Sequence, residues 1–152
     1  MEALYNREPF DRFFDAEEAA KLSDRYLQVA ENYFRAEFIG LEQLPKTPFL
    51  GVGNLSGGAF SPDAYLWLAK YHSLRRQPHL LALGHDMLND FARTDIGRFL
   101  ATCGLIRNNA ATARQALGAG YGVMIYPGGE LEATRTWDRR NDIDFYGHKG
   151  YV

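Results

Sequence analysis

The sequence contains a single cysteine, Cys103, which excludes a disulfide framework and any zinc site built from several cysteines of the chain. Its 17 lysines and arginines are outnumbered by 19 acidic residues, and this balance argues against a nucleic-acid-binding protein. No run approaches the roughly 20 apolar residues of a membrane-spanning helix. The acidic N-terminus also lacks the apolar core of a signal peptide. These absences favour a soluble protein of a reducing, cytoplasmic compartment.

The chain does contain enough apolar residues for a folded domain, since 46% of its 152 residues are hydrophobic. A domain of this length buries roughly two-thirds of the surface that its unfolded chain exposes. There is no internal repeat, low-complexity tract or linker-like stretch. We therefore predict a single domain over residues 1–152, with an N-terminal helical segment at 1–38 and an α/β portion at 39–152.

The hydrophobic pattern alternates between the spacing of helices and that of strands. The predicted helices lie at 13–38, 62–73, 86–103 and 109–117. The predicted strands lie at 34–39, 49–52, 79–83 and 121–126. Strands that alternate with helices predict an α/β fold, with a mostly parallel sheet and flanking helices.

The first predicted helix carries an apolar stripe, and the sequence leaves open what this stripe contacts. Its members are Ala19, Leu22, Tyr26, Val29, Tyr33 and Phe34. The stripe could rest on a membrane or pack on the domain's own core, which is the commoner arrangement and the one we favour. Acidic residues on the same helix would be repelled by anionic lipid, so any membrane binding should be weak and peripheral.

Two glycine-bearing loops follow predicted strands, at the edge where ligand sites of parallel α/β sheets form. One loop spans 54–63 and the other spans 127–132. Glycine lets the backbone approach a ligand closely and expose its N–H groups. Glu130 and Glu132 would bring carboxylates to the same edge. The spacing of the glycines in these two loops is equally compatible with ordinary turns that bind no ligand, because glycine and proline occur in most connections between strands and helices.

The histidines do not form a metal-binding pattern with each other or with the cysteine, so no metal site is predicted. His85 precedes Asp90 at the His-x4-Asp spacing of a base and its orienting acid, although we favour a structural histidine at a strand end. A complete Gly-x-Gly-x-x-Gly fingerprint and a Gly-x-Ser-x-Gly elbow are both missing. A dinucleotide-binding enzyme or a hydrolase is therefore disfavoured.

Four stretches together resemble the lysophospholipid acyltransferase superfamily, most closely its bacterial branch related to monoacyl- and diacylglycerol acyltransferases. They are 33–64 (YFRAEFIGLEQLPKTPFLGVGNLSGGAFSPDA), 81–86 (LALGHD), 97–135 (GRFLATCGLIRNNAATARQALGAGYGVMIYPGGELEATR) and 139–152 (RRNDIDFYGHKGYV). The most specific combination is PGGELE with the RRN…GHKGYV tail. The resemblance covers nearly all of the chain after the first predicted helix and implies a glycerol-phosphate-acyltransferase-like fold.

The resemblance implies transfer of a fatty acyl group from acyl-CoA, or from an acyl carrier protein, to a hydroxyl of a lysophospholipid or glycerolipid. Acyl-CoA would be a co-substrate, and no resident cofactor is implied. In the family a histidine acts as general base on the hydroxyl, and a nearby aspartate orients it. Carried over by position, the resemblance assigns substrate binding to Asn54, Ser56, Gly57, Arg107, Gly128, Gly129 and Glu132.

Two features depart from the family pattern. Leu55 occupies the position of the catalytic histidine, and Asp63 follows eight residues later, farther than the usual His-x4-Asp spacing. The family pattern also continues beyond residue 152, so we expect the domain to be incomplete at its C-terminus. Asp63 and His85, as a substitute base, remain the candidate catalytic residues. We predict an impaired acyltransferase; the alternatives are a non-catalytic pseudoenzyme that binds lipid or acyl-CoA, and a non-functional fragment of a longer enzyme.

Overall fold

The computed structural model describes residues 10–56, 61–85 and 94–149. Within these ranges four strands form one parallel sheet: β1 (Leu50–Val52), β2 (Leu80–Gly84), β3 (Leu105–Arg107) and β4 (Gly122–Ile125). The strands lie in the order β1-β4-β2-β3, so the last strand in the sequence occupies an inner position. The predicted α/β fold with a parallel sheet and flanking helices is confirmed.

Four of the five helices in the described ranges begin at a capping side chain or at a proline. They are α1 (Ala16–Phe34), α2 (Pro62–Ser73), α3 (Asp95–Thr102), α4 (Ala110–Gly118) and α5 (Gly129–Ala133), with 3₁₀ turns at Leu41–Gln43 and Trp137–Arg139. Side chains of Asp15, Thr94 and Asn109 cap α1, α3 and α4 by accepting backbone N–H groups. None of these helices is long and apolar enough to cross a membrane.

Helices cover both faces of the sheet. Residues of α2 pack on one face in a cluster of Leu68, Tyr71, Leu80, Ala82 and Met124. Helix α1 packs on α2 through Leu27, Ala30, Leu66 and Ala69. On the opposite face, α4 contributes Ala116 to a cluster with Leu81, Ile106 and Val123. Burial of these apolar side chains is the main term that stabilises the layers.

The prediction that the aromatic stripe of α1 packs on the core is wrong. The buried residues of α1 are Ala19, Ala20, Ser23, Leu27 and Ala30. Tyr33 and Val29 are 78% and 72% exposed, and Tyr26 and Phe34 are also exposed. Small side chains at the α1–α2 contact allow the two helices to approach closely, so the larger side chains of the stripe turn outwards.

The predicted strand at 34–39 is also wrong. Helix α1 continues to Phe34 and is capped by Arg35, whose φ of 51° lies in the left-handed region and whose N–H donates to the Glu31 carbonyl. Ala36 and Phe38 then pack against the α1–α2 contact instead of joining the sheet. The helix predicted at 86–103 is observed from Asp95 to Thr102, and residues 86–93 lie outside the described ranges.

Candidate functional site

The loops after β1 and β4 meet at the carboxyl edge of the sheet, because these two strands are direct neighbours. The backbone N–H of Leu55 donates to Oε2 of Glu132 over 2.9 Å. Glu132 lies on the short helix α5 and is 0% exposed. Position 55 is therefore held against a buried carboxyl group.

Glycine at position 128 is required by the close approach of Glu132. A Cβ atom at Gly128 would lie 2.6 Å from the Cβ atom of Glu132 and 2.8 Å from its Oε2 atom. The next residue, Gly129, has a φ of 50° in the left-handed region that glycine adopts without strain. The Pro-Gly-Gly turn thus allows the chain to pass closely over the buried carboxyl group.

Arg135 joins Glu132 in this buried cluster, and its side chain is only 4% exposed. Its Nη1 atom lies 3.8 Å from Oε1 of Glu132 and donates to the carbonyl of Asp142. Burial raises the pKa of Glu132, while the Leu55 N–H and the Arg135 charge act in the opposite direction. Within the described residues, Glu132 Oε1 and Arg135 Nε and Nη2 have no hydrogen-bond partner. Because unpaired buried polar atoms are costly, these three atoms are suited to polar groups of a ligand.

Arg135 is not among the site residues predicted from the sequence. The available signal was its position three residues after Glu132, a spacing that brings side chains together on a helix. Glu132 was predicted as a binding residue, but glutamate and arginine ordinarily lie at the surface, which is why their buried pairing was missed.

Asp63 lies in the first turn of α2 and holds the loop that follows β1. Its Oδ2 atom accepts the N–H of Ser56 at 2.7 Å, and its Oδ1 atom accepts the Ser56 hydroxyl at 2.6 Å. The acid expected to orient a base therefore anchors the residue after position 55. Burial, with the Asp63 carboxylate as a smaller cause, raises the pKa of Tyr126. The Tyr126 phenol consequently stays protonated and able to donate.

His85 and Arg107 lie at the ends of other strands of the sheet. The Nε2 atom of His85, after β2, lies 2.9 Å from Oε1 of Glu130. Arg107 ends β3 and lies opposite Gly84 in the register of β2 and β3. Since β4 separates β1 from β2, the ends of those strands are about 10 Å apart, two strand spacings. Asn54 is exposed in the loop after β1, and Gly57 lies outside the described residues.

A groove of about 670 Å³ opens on the face of the sheet that carries α4. We call it the α4 groove. Leu50, Leu83 and Ile125 from three strands line it, together with one side of α4. Its remaining lining comes from residues 126–131 and from His85, Asn108, Asn109 and His148. The turn that approaches Glu132 therefore also forms part of this groove.

Fold and site together define an α/β protein whose parallel sheet carries a buried carboxyl group and two glycine loops at its carboxyl edge. Among residues 10–56, 61–85 and 94–149, no group of three or more His, Cys, Asp or Glu side chains is arranged to hold a metal ion. No protein-family model, curated protein or solved structure matches the chain.

Proposed function

We propose that the chain is an acyltransferase-type domain that binds an acyl donor and a hydroxyl-bearing lipid at the carboxyl edge of its sheet. The donor is acyl-CoA or an acyl carrier protein, and the acceptor is a lysophospholipid or an acylglycerol. The domain works in the cytoplasm, with weak peripheral contact to a membrane. The observation that carries the proposal is the hydrogen bond of 2.9 Å from the Leu55 N–H to buried Glu132. This bond joins the two loops to which the sequence resemblance assigns the chemistry.

The unpartnered atoms beside this bond fit the polar part of such an acceptor. Glu132 Oε1 can accept from a glycerol hydroxyl, and Arg135 Nε and Nη2 can donate to a phosphate or ester oxygen. Glu132 is 0% and the Arg135 side chain 4% exposed, so the surrounding loops must open before an acceptor reaches these atoms. The pair would thus bind and orient an acceptor next to position 55.

Leu55 deprives the site of its general base. In acyl transfer a base removes the proton of the acceptor hydroxyl while the oxygen attacks the thioester carbon. The new C–O ester bond forms, the C–S bond breaks, and the departing thiolate takes up a proton. A positioned base contributes about 10²–10⁴-fold to such a reaction. We therefore expect the chain to bind its substrates and to transfer the acyl group slowly or not at all.

The second candidate is a non-catalytic protein that binds lipid or acyl-CoA. The hydrogen bonds of Asp63 favour it, since both carboxylate oxygens are engaged by Ser56 at 2.7 and 2.6 Å. A carboxylate that anchors a loop is not poised to orient a catalytic base. The two candidates share the binding step and differ in whether chemistry follows.

The discriminating experiment measures release of free CoA thiol from long-chain acyl-CoA, with lysophospholipid or monoacylglycerol as acceptor. The original chain is compared with Leu55→His and with Leu55→Gln, after circular dichroism has shown that all three fold. Glutamine is the matched control because it is polar and of similar length but cannot act as a base. We expect acceptor-dependent release from the histidine variant alone.

Absence of release from folded Leu55→His would contradict an acyltransferase site that lacks only its base. Saturable binding of acyl-CoA to the original chain would then support the non-catalytic candidate. Equal release from the histidine and glutamine variants would show that position 55 is not the position of the base.

A further inference from the structure

The α4 groove has an apolar floor that is open to solvent. Leu50 lies opposite Val123, and Val52 lies opposite Ile125, so the side chains of these β1 residues point to the same face of the sheet. Leu50, which lines the groove, is 37% exposed, and Val52, on the same face of β1 but outside the lining, is 41% exposed. The groove volume of about 670 Å³ falls within the range typical of small-molecule sites. An apolar trench of this size is suited to a hydrocarbon chain.

The charges that line the α4 groove are unequally distributed. Glu130 lies at the loop end and is paired with His85, Oε1 to Nε2, over 2.9 Å. Arg114, on α4, also lines the groove and is exposed, and no carboxylate of the described residues pairs with it. The groove thus offers an unpaired cation next to its apolar floor, while its acid already has His85 as a partner.

We propose that the α4 groove binds a fatty carboxylate, with its hydrocarbon tail on Leu50, Leu83 and Ile125 and its head group at Arg114. Burial of the methylene groups of the tail supplies most of the affinity. Arg114 selects an anionic head group, and Glu130 at the loop end disfavours the reverse orientation. This site is distinct from the buried Glu132–Arg135 pair, and the proposal depends on the groove alone.

The test is calorimetric titration of the folded chain with decanoate and, as an uncharged probe, with 1-decanol. Leu50→Asp puts a charge under the tail and should weaken binding of both probes by about tenfold or more. Arg114→Glu replaces attraction with repulsion and should weaken decanoate binding by about fivefold, with decanol affected less than twofold.

Two matched variants control for general effects of these substitutions. Leu74→Asp alters a leucine that is 42% exposed and lies outside the groove, and Arg25→Glu reverses an exposed charge on α1. Both should leave decanoate affinity within about twofold of the original. Circular dichroism confirms that each variant is folded.

The proposal is overturned if the original chain shows no saturable decanoate binding, or if Leu50→Asp binds both probes as tightly as Leu74→Asp does. Equal loss of decanoate and decanol affinity in Arg114→Glu would refute the assigned head-group position. Because the titrations measure binding without turnover, they can succeed or fail independently of CoA release by Leu55→His.

Discussion

Acid sensitivity of folding should depend on His72, which is buried in α2. The residue is 5% exposed, its Nε2 atom lies 3.2 Å from the carbonyl oxygen of Cys103, and Phe14 packs against its ring. Burial lowers the pKa of His72 from 6.5 to about 4, and the nearby His79 adds to the effect. The hydrogen bond to Cys103 opposes this change only in part. The folded state therefore requires a neutral imidazole at this position.

The sign and size of the effect follow from the two pKa values. The unfolded chain binds the proton near pH 6.5 and the folded chain only near pH 4, so acid favours unfolding. The stability that neutral His72 contributes is complete above pH 6.5 and is lost as the pH falls towards 4. The whole contribution to the free energy of unfolding is about 3 kcal/mol, since each pKa unit corresponds to about 1.4 kcal/mol. At pH 5 about 2 kcal/mol of it is lost.

The assay is urea unfolding followed by circular dichroism at pH 7.5 and pH 5. His72→Gln retains an N–H donor for the Cys103 carbonyl but does not titrate, so its loss of stability between the two pH values should be about 2 kcal/mol smaller. His148→Gln alters an exposed histidine and should behave like the original chain. If His72→Gln and the original chain lose equal stability on acidification, the reasoning about the buried imidazole is refuted.

Two further predictions concern Gly128 and Cys103. Gly128→Ala places a methyl group 2.6 Å from the Cβ atom of Glu132 and should lower the free energy of unfolding by about 2 kcal/mol in urea titrations. Gly118→Ala, whose added Cβ meets nothing within 4 Å, is the control, and equal stability of both variants would contradict the close approach. Burial raises the pKa of Cys103 from 9.0 to about 11, so a disulfide reagent at pH 8 should label the folded chain about a hundredfold more slowly than the urea-unfolded chain. Equal labelling rates of the folded and unfolded chains would contradict a raised pKa of the Cys103 thiol.

Several elements could be predicted from the sequence because their signals are local. The proline at the first position of α2 and the apolar run of β4 predicted those elements closely. Strand β3 was missed because only two of its residues are apolar and the third is the charged Arg107, so no apolar run marks it in the sequence. The orientation of α1 was mispredicted because hydrophobicity favoured its aromatic residues, whereas close helix packing buries its alanines.

The candidate site was predictable only as two loops. The loops that follow parallel strands lie at the same edge of the sheet. Both the glycines at the strand ends and the parallel sheet could be predicted from the sequence. The bonds that Glu132 and Asp63 form depend on the order of the strands, which periodicity does not encode. Glu132 also contradicts the rule that acidic side chains lie at the surface, so its burial required the three-dimensional arrangement.

The inner position of β4 affects how the protein can fold during its synthesis. In the described sheet β1 pairs only with β4, and the paired residues Leu50 and Val123 are 73 positions apart in the chain. While the ribosome is still adding residues before 122, β1 has no strand to pair with, whereas β2 and β3 can already join. Pairing of such distant segments is slow because a long loop must close first. The Leu55–Glu132 bond consequently cannot form before residue 132 has been added, and a nascent chain acquires its candidate site only when β4 inserts.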